Sequence, residues 1–307
     1  MAKIVFMGTP DFAVPSLSAL MESHQVVGVV TQPDRPAGRK KRLREPPVKG
    51  LARAAGIPLI QPRRIREETA MEALRSWDAD VYVVAAYGQI LPSALLDIPR
   101  QGTVNVHASL LPRWRGAAPI QAAIRAGDCE SGVTIMLVDA GLDTGPLLSK
   151  RALPLAQDET GGSLHDKLSV LGAELLAKTL PRYLSGEIEP QAQDDSLATY
   201  APQIKKEEGR IDWNCSGASI ERLVRAFTPW PGTYTCWAGA QLRILAGHRD
   251  EGSAESGQVI VQDGAIAIGT GDDLYFPTML QMAGKRPLHI TDFVNGYNDF
   301  ASARLGA

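Results

Sequence analysis

The chain has 307 residues, which at about 150 per domain is room for two. Apolar residues make up 44% and charged residues 21%, ordinary for a globular chain and too apolar for disorder. Lys and Arg total 32 against 34 Asp and Glu, a formal charge of −2, so bulk charge does not point to a nucleic-acid partner. The longest wholly apolar run, 81–87, is far short of the roughly 20 residues a membrane helix needs, and no membrane association is expected. The N-terminus reads as a strand entering a turn at Gly8, without a secretory leader, which predicts a cytoplasmic protein. Cys129, Cys215 and Cys236 are odd in number and far apart, which argues against a disulfide framework or a thiolate metal site.

In chain order, strand-like runs at 4–7, 26–31, 58–60, 81–85, 104–106 and 133–138 are continuously apolar, as in strands buried on both faces of a parallel sheet. Helical segments at 11–22, 47–55, 65–76 and 117–126 separate them. This βαβ rhythm predicts an α/β fold with a doubly wound, Rossmann-like, mostly parallel sheet. A long amphipathic helix over 163–184 carries Leu164, Leu168, Leu171, Leu175 and Leu176 on one stripe. The polar stretch 189–208 lacks periodicity and reads as a linker that wraps the surface or crosses to a second domain. From 209 onward a helix at 217–227 precedes short runs at 233–237, 242–245, 259–261 and 266–268. Ala238-Gly239 and Asp263-Gly264 supply turn signals between them, which predicts a smaller β-barrel, OB-like. A last helix is expected over 291–305. The predicted organisation is therefore 1–188, a linker at 189–208, and a C-terminal domain at 209–307.

The turn Gly8-Thr9-Pro10-Asp11-Phe12 stands where a dinucleotide fingerprint would be but is not G-x-G-x-x-G. Asn105 and His107, at i and i+2 of a strand, project from one face at the carboxyl end, where open α/β sheets place ligands. An Asn can donate to an oxygen that turns negative in acyl transfer, and a His can move a proton near neutrality. Taken alone, the pair also fits a structural histidine. Asp143 sits between Gly141 and Gly145 in a tight loop, read as lying on the carboxyl side of the sheet. It fits either a carboxylate that orients an imidazole or a solvated turn residue. The stretch 33–49 holds Arg35, Arg39, Lys40, Lys41, Arg42, Arg44 and Lys49 against Asp34 and Glu45. Its net +5 leaves −7 on the rest of the chain and suits a polyanion. No His/Cys/Asp cluster has the spacing of a metal site.

These pieces together resemble the methionyl-tRNA formyltransferase family. The matching segments are Gly8-Thr9-Pro10-Asp11-Phe12-Ala13, Thr31-Gln32-Pro33-Asp34-Arg35-Pro36-Ala37-Gly38-Arg39 and Ala86-Tyr87-Gly88-Gln89-Ile90-Leu91-Pro92. Asn105-Val106-His107, Ser109-Leu110-Leu111-Pro112-Arg113-Trp114-Arg115-Gly116, Gly141-Leu142-Asp143-Thr144-Gly145 and Arg225-Ala226-Phe227-Thr228-Pro229-Trp230-Pro231-Gly232 follow in collinear order. The resemblance implies an enzyme that moves the formyl group of 10-formyltetrahydrofolate to the α-amine of initiator methionyl-tRNA. The transfer would be direct, through a tetrahedral intermediate.

It further implies Asn105, His107 and Asp143 as the catalytic trio. Ala86, Tyr87, Gly88, Gln89, Ile90, Leu91, Ser109, Leu110, Leu111 and Pro112 would line the folate site. Arg39, Lys40, Lys41 and Arg42 would contact tRNA, with the C-terminal domain also on tRNA. No metal is implied, and a monomer is expected. The stretch 208–307 is net −3, eight basic residues against eleven acidic, so tRNA contact there would need a local face. Arg222, Arg225, Lys285 and Arg286 are candidates, with Trp213, Trp230 and Trp237 able to stack on bases or to pack a core. Formyl transfer to a small amine or to water, an RNA-binding adaptor, and a dinucleotide dehydrogenase are the competing readings.

Overall fold

The computed structural model describes residues 1–37 and 42–306. The chain folds as two compact units, Met1–Pro119 with Glu130–Pro154 and His165–Ala201, and Ile120–Cys129 with Leu155–Leu164 and Pro202–Ala307.

In the first unit the strands are β1 (Lys3–Gly8), β2 (Gln25–Val30), β3 (Arg35–Ala37), β4 (Arg42–Arg44), β5 (Leu59–Ile60), β6 (Val81–Ala85), β7 (Thr103–His107), β8 (Arg115–Gly116), β9 (Glu130–Leu137), β10 (Leu147–Pro154) and β11 (Tyr200–Ala201). The helices of the chain begin with α1 (Val14–Ser23), α2 (Pro47–Ala54), α3 (Glu68–Ser76), α4 (Ser93–Leu96), α5 (Pro119–Ala126) and α6 (Gly161–Leu184). The main sheet has the order β10-β9-β7-β6-β1-β2-β5, with β1, β2, β5, β6 and β7 parallel. Ile4, Val5, Phe6 and Met7 are fully buried, as are Val81, Tyr82 and Val83. Each such large apolar side chain contributes about 1.5–3 kcal/mol of burial. The strand order reverses between β1 and β6, so a crevice opens at the carboxyl ends of these two strands.

Two features depart from the sequence expectation. The run 133–138 forms most of β9, but β9 pairs antiparallel with β7. It is apolar because it is buried, and burial carries no strand direction. β10 was not foreseen. Its Lys150 and Arg151 break the apolar run, as befits a charged edge strand that blunts edge-to-edge pairing.

The second unit holds α7 (Gly217–Ala226), β12 (Thr233–Trp237), β13 (Ala240–Asp250), β14 (Val259–Gln262), β15 (Ala265–Gly269), β16 (Leu274–Met282), β17 (Leu288–His289) and α8 (Ile290–Gly296). Its antiparallel sheet runs β12-β13-β16-β15-β14, with β17 on β16. Among the described residues no ladder joins β12 to β14. Both expected turns are present, with positive φ at Ala238, Gly239, Asp263 and Gly264, the backbone of a tight hairpin. β16 escaped the sequence reading because Pro277 interrupts it. That proline sits opposite Gly247 at a register irregularity of β13, where a missing donor is tolerated. The expected helix over 291–305 is α8 followed by a separate 3-10 turn at Asn298–Ser302, broken beside Gly296.

The core of this unit gathers Trp213, Trp237, Phe293 and Phe300 with aliphatic side chains, and Trp237 stacks edge-on against Phe300 at 5.1 Å. Residues 120–129 and 155–164, expected in the first domain, cluster here for visible reasons. Arg125 lies over the Phe227 ring at 5.2 Å, Gly162 N donates to Thr228 O and Arg225 Nη1 to Glu159 O. Among the described residues no helix is long and apolar enough to cross a membrane.

Candidate active site

β7 ends at His107, and Asn105 shares that face. Asn105 lies between Val84 of β6 and Met136 of β9, half-buried. Among the described residues its amide has no hydrogen-bond partner, which leaves a donor open on the face it shares with His107. His107 is 6% exposed. Its Nε2 is 3.0 Å from Trp114 O, and its Nδ1 is 3.6 Å from Asp143 Oδ2, an ion-pair distance rather than a hydrogen bond. Both ring nitrogens thus face oxygen acceptors, and the ring can hold a proton on either side.

Asp143 reaches His107 by a route the sequence did not show. Because β9 is antiparallel, the loop 138–146 starts at the amino end of β7, where Val138 N donates to Thr103 O. It then runs back toward His107. Asp143 takes φ +52°, an uncommon backbone for a residue with a side chain. Its Oδ2 accepts a 2.8 Å bond from Gly116 N. Asp139 Oδ1 closes the start of the loop by accepting from Gly141 N and Thr144 Oγ1. A Cβ at Gly145 would sit 1.9 Å from Leu137 O, so the loop can return to the sheet only through a glycine.

The loop after β7 is built by its own polar groups. Ser109 Oγ donates to Arg113 O at 2.6 Å. Thr134 Oγ1 donates to Ser109 O and accepts from Leu111 N. Leu111 and Ser109 are buried, while Leu110 and Pro112 are half-buried. Ser109 and Leu111 therefore shape the loop with side chains turned inward. Thr134 was missed as a site residue, although a threonine inside an otherwise apolar strand was the available signal.

The segment Ala86–Leu91 leaves β6 at the reversal point of the sheet. Ala86 and Gly88 have positive φ. Tyr87 O accepts from Thr9 Oγ1 at 3.0 Å and Gln32 Nε2 at 3.3 Å, tying this loop to the turn after β1. The Tyr87 ring is a core residue, 2% exposed. Its hydroxyl is buried without a partner, and burial pushes its pKa upward. Gln89 spends its amide on the backbone of 62–65, accepting from Ile65 N and donating to Pro62 O and Arg63 O. Ile90 is 93% exposed. With Ile65, Gln89, Pro92, Arg64 and Arg66 it lines a hollow. An apolar wall with a cationic rim suits a flat heteroaromatic molecule that carries carboxylates.

Of the expected tRNA contacts, Arg39, Lys40 and Lys41 lie outside the described residues, and of Arg42 only the backbone, in β4, is described. The base of this segment is a β3–β4 hairpin pairing Arg35 with Arg44. Three of its charges, Lys49, Asp34 and Glu45, meet within the segment. Lys49, 9% exposed, bonds Asp34 at 2.7 and 2.8 Å. Gln61 Nε2 adds a 2.8 Å bond. The hydrogen bonds from Gln61 and Lys49 hold the Asp34 carboxyl below its usual range. In the second unit Trp213 and Trp237 are core, whereas Trp230 is 51% exposed. Arg225 pairs with Glu221, and Arg222 Nη1 donates to Ala126 O. Among the described residues no three His, Cys, Asp or Glu side chains gather as a metal site would require.

Comparison with known proteins gives a consistent result. Residues 2–180 match the formyl transferase family model and residues 203–298 match the formyl transferase C-terminal domain. The chain is 47% identical over 307 residues to a methionyl-tRNA formyltransferase of Pseudomonas paraeruginosa, covering 99% of both chains. It is 49% identical over 308 residues to one of Citrifermentans bemidjiense, covering 99% of this chain and 96% of the other. Among solved structures, the N-formyltransferase of Helicobacter canadensis superposes with a TM-score of 0.69 at 18% identity, over 93% of this chain and all of that one. HypX of Aquifex aeolicus, solved with tetrahydrofolic acid, gives 0.64 at 17% identity over 98% of this chain, which spans about half of HypX (47%). These two structures support the fold alone. On the family models and on near-full-length relatives at almost half identity, the chain belongs to the formyl transferase family.

Proposed function

We propose that the protein transfers the formyl group of 10-formyltetrahydrofolate to the α-amine of initiator methionyl-tRNA. The observation that carries the mechanism is the meeting of Asn105, His107 and Asp143, with the Asn105 amide unpartnered toward the carboxyl end of β7. The amine nitrogen attacks the formyl carbon, the carbon–nitrogen bond forms, and charge gathers on the formyl oxygen. Asn105 Nδ2 donates to that oxygen. His107 exchanges its contact with Trp114 O for the same oxygen as substrate arrives. Asp143, 3.6 Å from Nδ1, orients the ring from the other side. One proton then leaves the amine for N10 of the folate as the old carbon–nitrogen bond breaks. Much of the acceleration comes from holding two substrates in register.

The folate is assigned to the crevice beside Ala86–Leu91 and Ser109–Pro112. The backbone of Ala86 and Gly88, Ile90 and the hollow with Arg64 and Arg66 make its wall. Tyr87, Ser109 and Leu111 shape it from behind. The basic segment around Arg39, Lys40, Lys41 and Arg42 is assigned to the tRNA, where a concentrated cationic stretch meets phosphates. The names of the two relatives above support this acceptor.

The test is an assay with 10-formyltetrahydrofolate and charged initiator tRNA, with elongator methionyl-tRNA and small amines alongside. Formylation of the initiator well above the other acceptors is the expected result. Equal or faster transfer to a small amine, or release of formate alone, would overturn the acceptor assignment.

A further inference from the structure

The segment 191–201 falls between the two matched family models and reads as a linker in the sequence. In the structure it is bonded to both loops that meet at His107. Gln191 exchanges backbone hydrogen bonds of 2.7 and 2.9 Å with Leu147, just past the Asp143 loop. Thr199 Oγ1 accepts from Trp114 N at 2.9 Å, and Thr199 O accepts from Arg115 N at 2.8 Å. β11 pairs in parallel with β8. Gly116, at φ +116°, has no room for a Cβ, which would lie 2.6 Å from Ala201 O.

The centre of this arrangement is Gln193. Its Nε2 donates to Asp143 O at 2.8 Å and to Gly145 O at 2.7 Å. Its Oε1 accepts from Arg115 Nε at 3.1 Å and Nη2 at 2.9 Å. Arg115 is 2% exposed and bonds Asp195 at 2.7 Å as well. One amide therefore joins the strand whose Gly116 N holds the Asp143 carboxylate to the backbone of Asp143 itself. That backbone is in the left-handed region, a conformation that persists only where its surroundings over-determine it. The two carbonyls held by Gln193 are that residue's own and that of Gly145, two positions on. A carboxylate in place of the amide keeps the arginine contact but opposes two carbonyl oxygens. An apolar side chain loses all four bonds.

We infer that Gln193, backed by Arg115, is a positioning residue that sets Asp143 against His107, and that 191–201 is part of the catalytic apparatus. This rests on the functional reading above. The experiment is steady-state formyl transfer to initiator methionyl-tRNA by the full-length Gln193→Glu, Gln193→Ala and Asp143→Asn variants and the Gln193→Glu/Asp143→Asn double variant, with thermal melts of each. Displacing Asp143 lowers kcat of the Gln193 variants roughly ten- to a hundredfold, with KM for both substrates unchanged and each variant still folded at the assay temperature, although the lost bonds to buried Arg115 or the opposed carbonyls lower the melting temperature. The double variant is no slower than the slower single one, because both act through one carboxylate.

Wild-type kcat in both Gln193 variants, multiplicative losses in the double variant, or a fall in kcat that tracks the unfolded fraction would each overturn the inference. If Gln193→Glu does not fold, Gln193→Ala carries the same cycle. If Asp143→Asn keeps the wild-type rate, the catalytic reading of Asp143 fails and the positioning role falls with it. If Asp143→Asn is slow and the Gln193 variants are not, the positioning role alone falls.

Discussion

The Asp143 loop of the first unit and the core of the second unit are held by opposite means. Around Trp237 the second unit relies on volume, with Phe293 at 6.0 Å, Tyr297 at 5.7 Å and Phe300 at 5.1 Å from its ring. At Asp143 directed bonds from Gly116 and Gln193 do the holding, and Thr144 closes the same loop onto Asp139. Apolar packing is non-directional and tolerates small shifts, whereas hydrogen bonds weaken steeply with angle. The molecule uses the first where it needs bulk stability and the second where an atom has to be aimed.

The sharpest break of that comparison comes from Trp237→Ala. Emptying this aromatic cluster should cost about 3–5 kcal/mol, read by chemical denaturation. A near-neutral result would mean that the second unit is not held by its core. Next in size is Asn105→Ala. Removing one donor to a developing oxyanion costs about 3–4 kcal/mol of barrier, roughly a hundred- to a thousandfold in kcat. The melting temperature should stay put, since the amide bonds nothing among the described residues, and a large fall in stability with intact kcat would reverse the assignment.

A smaller effect tests the hairpin base by pH. Asp34 has a folded pKa below its unfolded one, so the unfolded chain binds more protons in that window. The stabilisation is present above about pH 4 and is lost as pH falls through the folded value. Asp34→Asn should therefore flatten the acid limb of the stability curve, and an unchanged acid limb would show that the Gln61–Asp34–Lys49 cluster does not matter to folding. The smallest effect is expected from Tyr87→Phe. Its hydroxyl is buried and unpartnered, so removal should be neutral or stabilise by about 1 kcal/mol, with KM for the folate unchanged. A raised KM would give the hydroxyl a ligand contact.

Legibility followed the same division. Strands 4–7 and 81–85 could be read directly, because continuous burial writes an apolar run into the chain. The direction of β9 could not, since both directions bury the same side chains. β16, a strand paired to three others, was hidden by a single proline whose tolerance depends on Gly247 across the ladder. At the site, Asn105 and His107 were visible as one strand's alternate residues. The parts of Trp114, Arg115 and Gln193 were not, because they are played through backbone atoms or across 78 positions of sequence, as between Arg115 and Gln193.

The sequence by itself determined an α/β unit followed by an antiparallel one, the asparagine–histidine pair at a strand end, and the concentrated basic stretch. Those features are local, carried by hydrophobic period, turn residues and composition. Only the tertiary structure decided that Asp143 arrives from the opposite end of the sheet, and that a polar stretch resembling a tether is bonded into the site. Long-range hydrogen bonds between polar residues leave no periodic trace in a chain, since any Gln or Arg on its own reads as solvent-facing.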